Sequence, residues 1–444
     1  MANDNFDGVP GRAVPTGRLA RLGGFGRLAG GVAGGMLAEG ARRLANGQRP
    51  QLSDLILTPA NAARVADRLS HMRGAAMKLG QMISMDAGDV LPPELSTILA
   101  RLRNQGYRMP PVQLDKVLRG EWGQDWRRRF RSFDATPIAA ASIGQVHRAT
   151  LPDGRLLAIK VQYPGVRDSI DADVDNVATL LRISNLLPPT LDIAPLLGEA
   201  KRQLAEEADY RREGAQMRAY ADRLRGDARF VVPELYELLT TDKVLAMDFV
   251  AGDPVETLAD APQDRRDAVM SALIELVLRE IFDFGVMQTD PNFANYRWQP
   301  DSGALVLLDF GATRAVPEPT AAAYRALIEA GLASDRDRIR ETAIATGFLG
   351  AAAVAAHRPA VDRIIAAIDD TMRRPGPFDF GDRAFAPVVR DEARALVADR
   401  ATWHVPDVET LFVQRKVSGT ALLGARLKAR VDIRALAAAA IGPR

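Results

Sequence analysis

"AAASIGQVHRATLPDGRLLAIKVQYPG", residues 139–165, decides the fold. "LPDG" is a turn signal between two extended runs. After it, "RLLAIKVQY" alternates: Leu157, Ile159 and Val161 face one way, and Ala158, Lys160 and Gln162 the other. A lone strand lysine beside a small alanine can reach phosphates and leaves room for a flat base. Before the turn, a phosphate-cradling loop would want glycines, yet Ala139, Ala140, Ala141 and Ser142 stand there. Methyl groups restrict φ and keep backbone amides from closing on phosphates.

Two further pieces lie downstream. Asp290 and Asn295 are five residues apart in "MQTDPNFANY", a loop set between apolar stretches. This is the Asp-x-x-x-x-Asn spacing in which the aspartate faces a nucleophile and the asparagine holds magnesium. Pro291 stiffens the turn behind the aspartate. Asp309 ends the apolar run "ALVLLD" and precedes Phe310 and Gly311, the metal-binding Asp-Phe-Gly arrangement. Mg²⁺ wants hard oxygen ligands, which Asn295, Asp309 and phosphate oxygens supply. Each piece alone also suits an ordinary solvated strand or loop. The order Lys160, Asp290–Asn295, Asp309 is specific.

An acid should hold the strand lysine, and "LAEEADYRREGAQM" offers Glu206, Glu207 and Asp209, which spacing does not separate. After Gly311 only "ATRAV" precedes Pro317 and a new helical pattern. There is no Gly-x-Gly-x-x-Gly and no long activation segment, so a peptide substrate has little to dock on.

Composition narrows the classes. The 444 residues are 47% hydrophobic, enough for a large core. The absence of cysteine excludes disulfides, thiolate metal sites and thiol nucleophiles. Four histidines lie far apart, so neither a histidine metal cluster nor a Ser-His-Asp triad is expected. A net charge of +2 gives no field for nucleic acid.

Residues 1–50 hold seven arginines against three acids, with glycines spaced four apart. Their uncharged run is shorter than the roughly 20 residues of a bilayer span. Two readings stand equal: a flexible tail, or a helix formed on anionic lipid or a partner. No signal peptide is expected, because acids come early. Residues from Pro59 to about Gly120 read as helical, with Met72, Ala75, Ala76, Leu79, Met82 and Ile83 on one stripe and Lys78 and Gln81 neighbouring each other off it. Helices are expected from Asp168 to about Arg225 and from about 263 to 284. Two strands are expected within 231–252, and nearly all helix from Pro317 to the end.

"KLGQ" (78–81), "AAASIGQVH" (139–147), "AIKVQYPGV" (158–166), "EADYRRE" (207–213), "MQTDPNFANY" (287–296), "LLDFGATR" (307–314) and "RKVSGTALLGARLKAR" (415–430) together resemble the UbiB/AarF atypical kinase-like family, and within it the coenzyme Q biosynthesis branch. "PNFANY" departs from the His-Pro-Gly-Asn type of other bacterial branches.

The resemblance implies an α+β, protein kinase-like two-lobed fold, with a small β-containing N-lobe, a helical C-lobe and an extra N-terminal helical KxGQ extension. The corresponding boundaries are 1–50 for the Gly/Arg-rich segment, 51–133 for the extension, 134–250 for the N-lobe with inserted helices and 251–444 for the C-lobe. It implies ATP or ADP and Mg²⁺ as ligands. Lys160 would contact phosphates and Glu207 would pair with Lys160. Asp290 would be catalytic, and Asn295 and Asp309 would hold the metal. Ala139, Ala140, Ala141, Ser142 and Ala158 would border the nucleotide, and Lys78 and Gln81 would occlude the place of a peptide.

The implied activity is that of an ATPase or small-molecule or lipid kinase supporting ubiquinone production. A nucleotide-gated scaffold is the alternative, and a protein kinase ranks third. Anionic lipid or a quinone precursor, ubiquinone biosynthesis proteins and a second copy of the chain are the candidate partners. The implied location is the bacterial cytoplasm, peripheral at the inner membrane.

Overall fold

The computed structural model describes residues 109–141, 143–183, 194–399 and 407–442. The expectations for residues 1–50, Lys78, Gln81 and Ser142 lie outside the described residues. In chain order come α1 (Pro111–Trp122), β1 (Ser132–Phe133), β2 (Ala139–Ala140), β3 (Gly144–Thr150), β4 (Leu156–Gln162), α2 (Val166–Ile183), α3 (Ala194–Glu207), α4 (Tyr210–Arg223), β5 (Phe230–Val231), β6 (Val244–Asp248) and β7 (Asp253–Pro254). Next are α5 (Gln263–Arg279), a π turn (Glu280–Phe284), β8 (Val286–Gln288), β9 (Tyr296–Trp298), β10 (Leu305–Leu307), β11 (Thr313–Ala315), α6 (Glu318–Ala333), α7 (Arg336–Ala345), α8 (Ala351–Met372), β12 (Phe378–Asp379), α9 (Ala386–Ala398), α10 (Val408–Leu427), β13 (Arg430–Val431) and α11 (Ile433–Ile441).

They form two compact units. One holds the described residues up to Gly214 with Leu235–Phe249; the other holds Ala215–Glu234 with the chain from Val250. Residues 109–133 therefore share a unit with the sheet. Residues 215–234 belong with the helical second unit and not with a lobe spanning 134–250.

In the first unit β3 and β4 form the hairpin that "LPDG" predicts, and β6 extends it on the other side of β4. The alternation along β4 is one of chemistry rather than exposure, because both faces are covered. Leu157, Ile159 and Val161 join Trp122, Trp126, Phe130, Val244 and Ala246 in one core. Trp126 is 1% exposed, and truncating such a residue to alanine costs about 3–5 kcal/mol. Two polar side chains sit on this apolar face. Gln145 Oε1 accepts from the Met109 N–H at 3.0 Å, and Gln145 Nε2 donates to His147 Nε2 at 2.8 Å. His147 Nδ1 lies 2.8 Å from the Asp134 carbonyl, so these contacts suit a neutral imidazole with its proton on Nδ1. Buried polar groups are tolerable because they pair in this way.

Residues 231–252 give one full strand, not two. Leu235 makes only an isolated bridge to Met247, and Glu237–Leu239 forms a single 3₁₀ turn. Pro233, which has no N–H for a ladder, sits where the first strand would run.

In the second unit β5 pairs in parallel with β10, and β9 lies between β10 and β7. β8 and β11 form a separate antiparallel pair. α5 ends in the π turn Glu280–Phe284, and Gly285 closes it in the left-handed region at φ 61°. A π turn inserts one residue into the helical register and so redirects the side chains after it. Here Glu280 and Ile281 are buried. Val277, Ile281, Met287, Val316, Tyr324 and Val413 form the adjoining core. Among the described residues no helix is long and apolar enough to cross a membrane.

Candidate active site

The first unit supplies the lysine. Lys160 Nζ donates to both carboxylate oxygens of Glu213, at 2.9 and 3.0 Å, and lies 5.1 Å from the centre of the Tyr210 ring. The side chains of Lys160 and Glu213 are 10% and 1% exposed. This corrects the assignment of Glu207 to the pair. Glu207 is the last residue of α3, whereas Glu213 lies on the buried stripe of α4 with Tyr210, Met217 and Tyr220. Those positions recur at steps of three and four, so an acid on that stripe must point inward. Glu207 ends one helix as Glu213 enters the next, a change of direction that a motif match does not reveal.

Ala158 shares the face of Lys160 and is buried. Ala139 and Ala140 are not a loose loop. They form β2, opposite Val146 and Gln145 of β3. The Ala141 N–H donates to the Gly144 carbonyl at 2.9 Å, so that amide is already committed within the turn. Gly144 has a different role from conformational freedom. A Cβ there would lie 2.4 Å from the Val161 carbonyl oxygen and 2.9 Å from the Tyr210 hydroxyl. Close approach is what requires the glycine.

The second unit supplies the loop and the candidate metal ligands. β8 pairs with β11, and the Thr289 N–H and hydroxyl both donate to the Ala312 carbonyl, at 3.1 and 2.8 Å. This sets Asp290 beside Gly311. At the other end of the loop Tyr296 pairs with Leu307, and the Leu308 N–H donates to the Asn295 carbonyl at 3.0 Å. Asn295 and Asp309 therefore emerge at the same end of one hairpin.

Asn295 Nδ2 donates to Asp290 Oδ2 at 3.0 Å, which leaves its amide oxygen as the atom suited to a metal. Asp309 Oδ1 accepts the Gly311 N–H at 3.0 Å. Phe310 is buried, with its ring centre 5.1 Å from that of Tyr220. One carboxylate and one amide oxygen fit a Mg²⁺ that keeps waters and phosphate ligands. From Ala312 to Pro317 the chain makes only β11 before α6 begins.

Behind this loop lies a buried polar cluster. Asn295, Tyr296, Asp309 and Phe310 line one cavity with Tyr220, Glu280, Gln288 and Lys416. Tyr220 Oη–H donates to Glu280 Oε1 at 2.8 Å, and the Gln288 N–H donates to the same atom at 3.1 Å. Lys416 Nζ donates to Gln288 Oε1 at 3.1 Å and to Tyr296 Oη at 2.8 Å. Its distance to Glu280 Oε2 is 3.8 Å, an ion pair without a hydrogen bond.

Burial pushes the Glu280 carboxyl above its ordinary range, against the pull of Lys416. Burial also works against the Lys416 ammonium, but Glu280 and Tyr296 outweigh it, and its pKa lies above the usual lysine value. Desolvation, then the Glu280 charge, carries Tyr220 well above a normal phenol. No reading of local spacing picks out Lys416, although it lies in "RKVSGTALLGARLKAR".

The ABC1 atypical kinase-like domain profile matches residues 101–343. The chain is 36% identical over 427 residues to Atypical kinase COQ8, mitochondrial, of Saccharomyces cerevisiae, covering 96% of this chain and 85% of that protein. It is 36% identical over 431 residues to Atypical kinase COQ8B, mitochondrial, of Danio rerio, covering 95% and 68%. Among solved structures, the erythromycin complex of Rv3197 from Mycobacterium tuberculosis is similar at TM-score 0.57 and 25% identity, over 83% of this chain and 93% of that one. The fold is kinase-like, and the chain belongs to the ABC1 atypical kinase-like family.

Proposed function

We propose that the protein is a magnesium- and ATP-dependent enzyme that releases phosphate or transfers it to a small molecule or lipid, in support of ubiquinone biosynthesis at a membrane surface. Lys160, held by Glu213, would meet the α/β-phosphates. Asp290 would accept a proton from the attacking hydroxyl or water, and Asn295 would keep that carboxylate oriented. Asn295 and Asp309 would hold Mg²⁺, which neutralises charge on the phosphates when bound. Phosphoryl transfer asks a protein mainly for positioning and charge stabilisation, and these residues offer both.

The observation that carries the reading is the pairing of Lys160 with a buried glutamate, in a chain that also keeps Asp290, Asn295 and Asp309 at the ends of two strand pairs. The short stretch between Gly311 and α6 argues for a small acceptor or water over a peptide. The test is phosphate release by purified protein, with and without anionic lipid vesicles. Turnover is expected above an Asp309→Asn control; equal rates in both conditions would overturn the enzymatic reading. The pathway is tested by quinone profiling of a strain lacking the protein, where ubiquinone should fall.

The committed Ala141 amide favours a second reading, a nucleotide-gated scaffold that binds ATP without productive turnover. It expects Asp290→Asn to keep biological function. Loss of function with nucleotide binding and partner association intact would exclude it.

A further inference from the structure

We infer that Lys416 is a positioning residue for the Asp290–Asn295 loop, and that α10 is the element that sets this loop's geometry. The inference rests on the catalytic reading of that loop.

The loop is anchored at two buried residues, Gln288 before it and Tyr296 after it, while Asp290 to Asn295 remain partly open. One ammonium joins the two anchors, because Lys416 Nζ donates to both side chains. It also lies 5.4 Å from the centre of the Tyr296 ring. One helical turn later the same helix meets the loop itself. A Cβ at Gly419 would lie 2.2 Å from Pro291 Cβ, so only glycine lets α10 press this closely on the residue after Asp290.

Glu280 completes the arrangement from the other side. The π turn ending α5 carries it inward, where its Oε1 holds the Gln288 backbone and its Oε2 faces Lys416. Gln288 is thus fixed through its backbone by Glu280 and through its side chain by Lys416.

The chemistry explains why a charge is kept there. A side chain 2% exposed is an expensive place for an ammonium, and an apolar residue would fill the volume at lower cost. Methionine could pack but could not donate. Of the donors, only a compact one with several protons reaches two acceptors on two separate strands, β8 and β9, at once. Lys416 does not spend its protons on its counter-ion, which stays 3.8 Å away. Packing alone would not need this; tying two ends of a loop together does.

The experiment uses the full chain and separates this role from simple charge balance. Lys416→Met, Lys416→Arg and the double variant Glu280→Gln/Lys416→Met are compared with wild type for kcat, Mg-ATP affinity and Tm. The double variant leaves no unpaired buried charge, so its Tm should recover relative to Lys416→Met. Its kcat should stay about 100-fold low, the scale of a 1 Å misplacement, with Mg-ATP affinity within about threefold of wild type. Wild-type kcat in the double variant, or in Lys416→Met, would overturn the inference.

If wild type itself shows no turnover above an Asp290→Asn control, the enzymatic reading fails, and hydrogen exchange decides the inference. Backbone amides of residues 288–296 should exchange faster in the double variant, with the β3–β4 hairpin unchanged. Equal exchange in the loop would overturn it.

Discussion

Among the described residues two buried lysine–glutamate pairs stand out, and they are built differently. Lys160 gives its protons to Glu213, at 2.9 and 3.0 Å. Lys416 keeps Glu280 at 3.8 Å and gives its protons to Gln288 and Tyr296 instead. In the first pair the glutamate exists to hold the lysine. In the second the lysine exists to hold something else. The exposures agree: the Lys160 side chain is 10% exposed and Lys416 only 2%. On the proposed reading, the lysine that would meet a ligand keeps an edge open, and the lysine that fastens the loop is closed in.

The sharpest way to break the comparison is to remove each glutamate. Glu280→Ala leaves a fully enclosed ammonium without its counter-ion and should cost about 3–5 kcal/mol in urea unfolding. Glu213→Ala should cost less, because the Lys160 side chain is 10% exposed and not fully enclosed, and Mg-ATP should recover part of the loss. Equal costs, both indifferent to nucleotide, would mean that the two pairs are alike.

A second test concerns activity alone. Glu213→Gln should lower kcat/KM for ATP by about 10–100-fold by loosening Lys160, and Glu207→Gln should lower it less. A larger effect from Glu207 would return the lysine's partner to α3.

Gly144→Ala asks how tightly the Lys160 side is built. The added methyl must displace the Val161 carbonyl or the Tyr210 ring, with an expected loss of about 1–3 kcal/mol in thermal unfolding. No change in Tm would show that the turn gives way freely.

A partly exposed pair provides the control. Hydrogen bonds from Arg229, with help from Arg279, hold Asp227 down to a pKa of about 2. Its folded value lies below its unfolded one, so it stabilises the fold above about pH 4 and loses that contribution as pH falls toward 2. Solvent screening of this partly exposed pair holds the loss to about 1 kcal/mol or less, and Asp227→Asn should flatten the dependence of the urea midpoint over this window. An unchanged slope would assign the acid sensitivity to other carboxylates.

The readability of these features follows their distance along the chain. The β3–β4 hairpin, Lys160, the Asp290–Asn295 spacing and Asp309 are local patterns; the hairpin forms, Lys160 lies on β4, and Asn295 hydrogen-bonds Asp290 within one loop. Glu213 was legible too, but through helix phase and not through the motif that pointed to Glu207. The first of the two strands expected within 231–252 does not extend past Val231, because Pro233 has no N–H for a ladder. Nothing local marks Gly144, and only the facing Val161 carbonyl shows that it makes room. Lys416 was out of reach, since nothing in the local sequence joins it to a residue 128 positions earlier.

That separation has a consequence for how the protein is made. Chains grow at roughly 5–20 residues per second, and the strands around Asp290 can pair as soon as Ala315 has left the ribosome. Lys416 follows Tyr296 by 120 positions. At those speeds it arrives roughly 6–24 s later. Until then the loop lacks its fastening. On the proposed reading, docking of α10 is the step that completes the loop.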